Sequence, residues 1–216
     1  MDERFSGIKA VGFDLDQTLY ADLPEIKQAV RGEIYRLVAE RTNVPLAQAQ
    51  GRFEAAYAEH KSGGPALRSC GVADPREAMR DCLDRANVAG LLKTDTKLVR
   101  MLQNLGNTYA MCIITDSRRE NAHKKLAALG VSPVLFDFGV YWDTSTARKE
   151  TGDAYREAER HFGYAASQFA FVGNSEGDDI LPASKRGWRT VHVSDKPSSH
   201  ATAGINTIYD LEGLLL

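Results

Sequence analysis

Short runs that are mostly apolar along their whole length punctuate the chain at residues 8–15 (IKAVGFDL), 109–115 (YAMCIIT), 134–141 (VLFDFGVY), 169–173 (FAFVG) and 189–193 (RTVHV). A strand with one wet face alternates apolar and polar residues, whereas an unbroken apolar run suits a strand buried on both faces. Helical patterns lie between these runs, over residues 118–129, 152–162 and 178–186, and the first two stop near Gly130 and Gly163. Single helices alternating with buried strands make parallel βαβ units. The expected fold class is therefore α/β, a doubly wound parallel sheet flanked by helices.

Residues 21–93 break that rhythm. They contain no strand pattern, but show helical patterns near 25–41, 46–60 and 75–86, with Gly63-Gly64-Pro65 expected as a break. This predicts a core of residues 1–20 and 94–216 and a small helical cap of residues 21–93, built of four or five helices and hinged near Tyr20 and Thr94. Residues 194–204 (SDKPSSHATAG) read as an exposed loop before a final short strand near 206–209.

Composition narrows the function classes. With 216 residues, 43% hydrophobic and 26% charged, the chain is ordinary globular material. A formal net charge of -2 predicts no general attraction to a nucleic acid polymer or an anionic membrane. Cys70, Cys82 and Cys112 are too few and scattered for a disulfide framework or zinc site, and Cys112 reads as a reduced core thiol. Met1-Asp2-Glu3-Arg4 opens no signal-like apolar stretch, and no run approaches the roughly eighteen apolar residues of a membrane span. The expectation is a soluble, cytoplasmic protein.

Ligands of open parallel sheets sit beyond the carboxyl ends of the strands. Those ends carry Asp14 and Asp16, then Thr115 and Asp116, then Asn174, Ser175, Glu176, Asp178 and Asp179, while Lys149 follows the third strand. Carboxylates gathered in this way need a cation, and hard oxygen ligands without His or Cys favour Mg²⁺. Two close carboxylates can divide roles, one ionised as a nucleophile and the other held protonated. A carboxylate nucleophile forms an acyl phosphate and splits one hard displacement into two easier ones. Each residue also has a plainer reading: Asp14 and Asp16 as turn and cap residues, Thr115 as a cap for the helix near Arg118, Lys149 as a solvated lysine, and the acids after Glu176 as a helix amino terminus. Their convergence at strand ends favours the chemical reading.

Asp14-Leu15-Asp16-Gln17-Thr18, Thr115 after IIT, Lys149, and Val172-Gly173-Asn174 with Asp178-Asp179 resemble the four ordered motifs of the haloacid dehalogenase (HAD)-like hydrolase superfamily. The insert from Ala21 resembles the helical (C1) cap of many of its phosphatases. Residues 13–20 (FDLDQTLY), Pro65-Ala66-Leu67-Arg68 and residues 172–187 are similar to the pyrimidine 5′-nucleotidase-like branch. The resemblance implies a Rossmann-like core with Asp14 as nucleophile and metal ligand. Asp16 would be the general acid and would offer its backbone carbonyl to the metal. Thr115 would bond a phosphoryl oxygen, Lys149 would neutralise charge, and Asn174 with Asp179 or Asp178 would complete the metal site. Asn174 departs from the usual aspartate and removes one negative charge. Glu150 replaces a common proline after Lys149, so Arg148 competes for that role and the register rests on Asp153-Ala154-Tyr155. Dehalogenases of the superfamily generally lack an aspartate at the Asp16 position, so its presence favours phosphate chemistry.

His60, His123, His161, His192 and His200 show no ligand spacing and are given no catalytic role. Asp116, Arg68 and Tyr20 are candidate substrate contacts, with Tyr57 also on the cap side; Trp142 and Trp188 read as packing residues. The expected activity is Mg²⁺-dependent hydrolysis of a small phosphorylated metabolite, a nucleoside monophosphate or sugar phosphate. The competing readings are a phosphomutase or phosphonatase, the latter with Lys27 or Lys61 as Schiff-base candidates, and a poorly catalytic phosphate-binding regulator.

Overall fold

Six parallel strands form one sheet in the order β3-β2-β1-β4-β5-β6. They are β1 (Ala10–Phe13), β2 (Ala110–Ile114), β3 (Phe138–Val140), β4 (Phe169–Gly173), β5 (Arg189–Val193) and β6 (Ala203–Ile205). This computed structural model describes residues 2–216. The chain divides into two compact units, Met1–Ala21 with Lys93–Leu216, and Asp22–Leu92.

Doubly buried strands explain the apolar runs: every residue of β1 and β4 is buried. Gly12 in β1 is set by packing, because a Cβ there would stand 2.9 Å from the Phe171 ring and 3.2 Å from Trp188. The aromatic core on that side stacks Phe169 on Trp188 at 4.3 Å and sets Tyr155 edge-on to Phe171 at 5.0 Å. Trp188 is thus a packing residue. The crossovers are α5 (Thr96–Gly106), α6 (Arg119–Ala128), α7 (Asp153–Phe162) and α8 (Leu181–Lys185), with α9 (Leu211–Leu215) at the end. α6 and α7 run into Gly130 and Gly163, both in the left-handed region.

Local chemistry changed several predicted elements. The run at 134–141 begins with a 3₁₀ turn, Pro133–Leu135, and only Phe138–Val140 pairs with β2. The last strand is Ala203–Ile205 and not 206–209, where Asp210 accepts from the Thr207 backbone at 3.1 Å and closes a 3₁₀ turn. Residues 178–186 are not one α-helix but a π turn, Glu176–Ile180, running into α8. α5 was not predicted, although its buried Leu98, Met101, Leu102 and Leu105 have helical spacing and Asp95 caps it through the Leu98 amide at 2.9 Å.

The second unit holds α1 (Pro24–Thr42), α2 (Leu46–His60), α3 (Gly63–Ser69) and α4 (Pro75–Arg85), followed by a 3₁₀ turn, Val88–Leu91. Its core includes Leu37, Val38, Phe53 and Leu67. The expected break at Gly63-Gly64-Pro65 is instead the first turn of α3. The chain reverses just before it, at left-handed Lys61 and extended Ser62. All three cysteines are free and buried. Among the described residues no helix is long and apolar enough to cross a membrane.

Candidate active site

The chain steps from β1 outward through β2 to β3, then returns to the other side of β1 for β4, β5 and β6. The crevice where the direction reverses therefore lies between β1 and β4, the place where open α/β sheets bind ligands. Asp14 and Asn174 immediately follow those two strands.

Asp14 is fixed by main chain first. Its amide donates to Val172 O at 2.9 Å, extending the β1–β4 ladder by one bond. The chain then turns through Gln17, a non-glycine residue with φ 61°, and the Leu19 amide returns to Leu15 O at 3.0 Å. That turn brings the Thr18 hydroxyl to 2.9 Å from Asp14 Oδ2 and 3.2 Å from Asn174 Oδ1. Lys149 Nζ donates to Asp14 Oδ1 and to Asp179 Oδ1, both at 2.7 Å. Of these two adjacent basic residues it is Lys149, not Arg148, that reaches Asp14. The Arg148 guanidinium bonds Ser145 O and Ala147 O in its own loop and lies 3.7 Å from the Trp142 ring centroid.

Asp178 and Asp179 are separated by the π turn, a feature frequent at functional sites. Ser175 and Asp178 cap each other at the exposed end of the turn, at 3.2 Å in both directions. Asp179 turns inward, with Oδ2 accepting the Ser175 amide at 2.9 Å. Gly173 makes room for it, since a Cβ at 173 would stand 2.5 Å from the Asp179 carboxyl carbon. Tyr155 donates to the carbonyls of Asp178 and Asp179 at 3.1 and 3.2 Å, pinning the turn to α7.

Asp16 has a separate donor set. Ser117 Oγ donates to Oδ2 at 2.6 Å, while Lys125 Nζ and the Tyr20 hydroxyl donate to Oδ1. Lys125 also reaches Ser117 Oγ at 2.9 Å and has no solvent exposure. Thr115 is buried, and its Oγ1 accepts the Ser117 amide at 3.1 Å, leaving the hydroxyl hydrogen to donate elsewhere. It does not cap α6, whose amino terminus at Arg118 has no side-chain cap. Half-buried Asp116 adds negative charge near Lys149.

Electrostatics divides the two aspartates. Burial pushes Asp14 up to about 7; Lys149 opposes this, and the Asp179 and Asp16 charges add to it. Burial also raises Asp16, but Lys125, Ser117 and Tyr20 outweigh it and hold that carboxyl below its ordinary value. Asp16 is thus ion-paired with Lys125, while Asp14 is the carboxyl that burial pushes up. Burial disfavours the Lys149 ammonium, yet Asp14 and Asp179 hold it charged well above the usual lysine range.

The oxygen donors fit a hard cation. The Thr18 hydroxyl has one hydrogen for two acceptors, so it serves only one of Asp14 Oδ2 and Asn174 Oδ1 at a time. The Asn174 amide directs its nitrogen to Gln17 Oε1 at 3.4 Å, leaving its oxygen toward Asp14. Among the described residues no group of three or more His, Cys, Asp or Glu side chains could hold a metal, and the side-chain oxygens gathered beside Asp14 are those of Thr18 and Asn174.

Ser117, Lys125, Thr18 and His192, which carry no motif signal of their own, also stand at the site. His192 Nδ1 accepts the Ser198 amide at 2.8 Å, so Nε2 carries the hydrogen given to Asn174 O at 2.9 Å. Lys125 had a signal, since it occupies the i+3 position of an apolar stripe that includes Ala122, Leu126 and Leu129. Arg68 lies exposed on α3 of the helical unit, where Tyr57 stacks on Phe53 at 6.0 Å. Lys27 pairs with Asp22 at 2.7 Å, and Lys61 ends α2.

Known proteins share this architecture. An HAD phosphatase from Thermococcus onnurineus superposes with a TM-score of 0.69 at 20% identity, covering 96% of this chain and 98% of that one. An HAD hydrolase from Bacillus subtilis, YfnB, solved bound to magnesium, gives 0.62 at 20% identity over the same shares. The L-2-haloacid dehalogenase of Xanthobacter autotrophicus gives 0.63 at 18% identity, again over 96% and 98%. These likenesses carry the fold. A haloacid dehalogenase-like hydrolase family profile matches residues 8–187, which takes in the sheet through β4, the helical unit and Asp14, Asp16, Thr115, Lys149, Asn174 and Asp179, and the chain belongs to that family of hydrolases.

Proposed function

We propose that the protein is a Mg²⁺-dependent phosphatase with a helical C1-type cap that cleaves small phosphomonoesters through an aspartyl phosphate on Asp14. The observation that carries this reading is the buried Asp14 carboxylate, gripped by Lys149 at one oxygen and Thr18 at the other, with a second aspartate two residues on in its own donor set. Asp16 separates phosphoryl transfer from dehalogenation, because halide leaves without a proton whereas an alkoxide does not.

An Asp14 oxygen attacks phosphorus, the bond from phosphorus to the ester oxygen breaks, and that oxygen takes a proton from Asp16. A phosphate dianion arriving beside Asp16 raises its proton affinity, which loads the acid for this step. Water then attacks phosphorus, gives its proton to Asp16 and releases Asp14 with inorganic phosphate. Lys149 stabilises charge on the transferring group, and Thr115 donates its hydroxyl hydrogen to a phosphoryl oxygen. Asp14, the Asp16 main-chain carbonyl and Asn174 would hold Mg²⁺, which when bound neutralises the phosphoryl oxygens. The magnesium in the Bacillus subtilis relative supports the same ion here. Asp179 acts through Lys149, and Asp178 belongs to the rim of the turn.

Nucleoside monophosphates and sugar phosphates are the proposed substrates, with Asp116, near Lys149, as a proposed contact. The test is a panel of phosphomonoesters with Mg²⁺ and with chelator, using wild type and Asp14→Asn. Turnover that needs both Mg²⁺ and Asp14 is expected; Mg²⁺-dependent turnover that survives Asp14→Asn would refute the reading.

A further inference from the structure

Lys125 is a charged residue on the buried face of α6, with no solvent exposure, and its ammonium donates to Asp16 and to Ser117. Burying an ammonium is costly, so a site that keeps one without exposure has a use for its charge or its geometry. The geometry is a closed triangle: Lys125 Nζ to Asp16 Oδ1, Lys125 Nζ to Ser117 Oγ at 2.9 Å, and Ser117 Oγ to Asp16 Oδ2 at 2.6 Å. Tyr20 adds a second donor on Oδ1. A carboxylate oxygen offers two lone-pair directions. On Asp16 both directions at Oδ1 are taken, whereas Oδ2 accepts only Ser117, so one lone pair of Oδ2 is left for a reacting proton.

We propose that Lys125, acting with Ser117, is the positioning residue of the leaving-group acid, fixing the Asp16 carboxylate so that Oδ2 alone meets the departing oxygen. This rests on the phosphatase reading and adds to it a specific oxygen and the residue that aims it. Ser117 depends on Lys125 in turn. With Lys125 donating to Ser117 Oγ, the single Ser117 hydrogen is committed to Asp16 Oδ2. Loss of the ammonium would free both the rotation of Asp16 and that hydrogen. The consequence is selective. A good leaving group such as nitrophenolate departs without a proton, so formation of the aspartyl phosphate from an aryl ester does not need an aimed Asp16. Cleavage of an alkyl ester does, and so does attack by water on the intermediate.

The test compares wild type, Lys125→Met and Ser117→Ala, each with Mg²⁺, on an alkyl phosphomonoester and on p-nitrophenyl phosphate in stopped flow. For both variants kcat on the alkyl ester should fall about 10- to 100-fold with KM changed by less than about threefold. With p-nitrophenyl phosphate each variant should still release close to one equivalent of nitrophenolate in a fast burst, followed by slow steady-state turnover. Equal slowing of the burst and of alkyl cleavage, or unchanged alkyl kcat in both variants, would overturn the proposal. Ser117→Ala leaves the buried ammonium paired with Asp16, so it serves if Lys125→Met does not fold. Wild type that cleaves neither these esters nor any of the panel of phosphomonoesters would sink the phosphatase reading by itself. In that case crystal structures of the variants decide the positioning claim: Asp16 displaced from its wild-type orientation upholds it, and Asp16 unmoved in both variants overturns it.

Discussion

Asp14 and Asp179, brought together from positions 165 residues apart in the numbering, share one ammonium: Lys149 Nζ lies 2.7 Å from an oxygen of each. All three side chains are buried. Two carboxylates at such a distance from one cation are stable only while it stays charged, which explains why Lys149 is held so far above the usual lysine range. Lys149→Met should leave both acids without a counter-charge and cost about 3–5 kcal/mol of stability at pH 8. The cost should shrink toward pH 5 as Asp14 takes up a proton. Urea unfolding in chelator at the two pH values measures it, and kcat should fall at least about 100-fold.

Asp14 makes the metal-free protein sensitive to pH. Its folded value of about 7 lies above the unfolded 3.8, so the folded state binds the proton more tightly. The stability this contributes is complete below pH 3.8, declines as pH rises through 7 and stays lost above it. Asp14→Asn should therefore be more stable than wild type at pH 8 in chelator, by up to about 4 kcal/mol, and should lose that advantage near pH 4. Mg²⁺ should raise the Tm of wild type and leave that of Asp14→Asn nearly unchanged, which thermal unfolding with and without the ion checks.

Asn174 sets the charge of the proposed metal site. Its amide oxygen shares the Thr18 hydroxyl with Asp14, so Asn174→Asp places a second carboxylate against the first. Mg²⁺ should bind about tenfold more tightly, near 1.4 kcal/mol, while the metal-free protein loses stability through repulsion. Calorimetric titration with Mg²⁺ and unfolding in chelator should move in opposite directions.

Gly173 tests whether the inward turn of Asp179 matters. A methyl group there collides with the Asp179 carboxylate, which lies 2.5 Å from the position of the added carbon. Gly173→Ala should cost about 1–3 kcal/mol. It should also lower kcat by displacing Asp179 from Lys149, as unfolding and steady-state kinetics would show together.

Much of this was legible in the sequence because doubly buried strands write themselves as apolar runs. β4 and β5 match residues 169–173 and 189–193 without adjustment, and Asp14, Thr115 and Asn174 each follow directly on a strand. Legibility failed where a local competitor decided. Pro133 opens a 3₁₀ turn inside the third apolar run, and Thr207 with Asp210 forms a turn where a strand was expected. Lys149 and Arg148 are adjacent and chemically alike; only the fold shows one buried against Asp14 and the other stacked on Trp142. Spacing could not separate Asp178 from Asp179, because one extra residue in a π turn exchanges which of them faces inward. The groups that hold the Asp16 carboxyl below its ordinary value were not legible locally, because Lys125, the chief of them, lies 109 residues away. A lysine on an apolar helical stripe marks a buried charge but does not name its partner.

The most direct measurement of Asp14 chemistry is a borohydride quench during turnover of p-nitrophenyl phosphate with Mg²⁺, followed by peptide mass spectrometry. Reduction of an aspartyl phosphate should convert residue 14 alone to homoserine, in wild type and not in Asp14→Asn. Steady turnover with residue 14 unmodified, or with the reduced residue elsewhere in the chain, would contradict a nucleophilic Asp14.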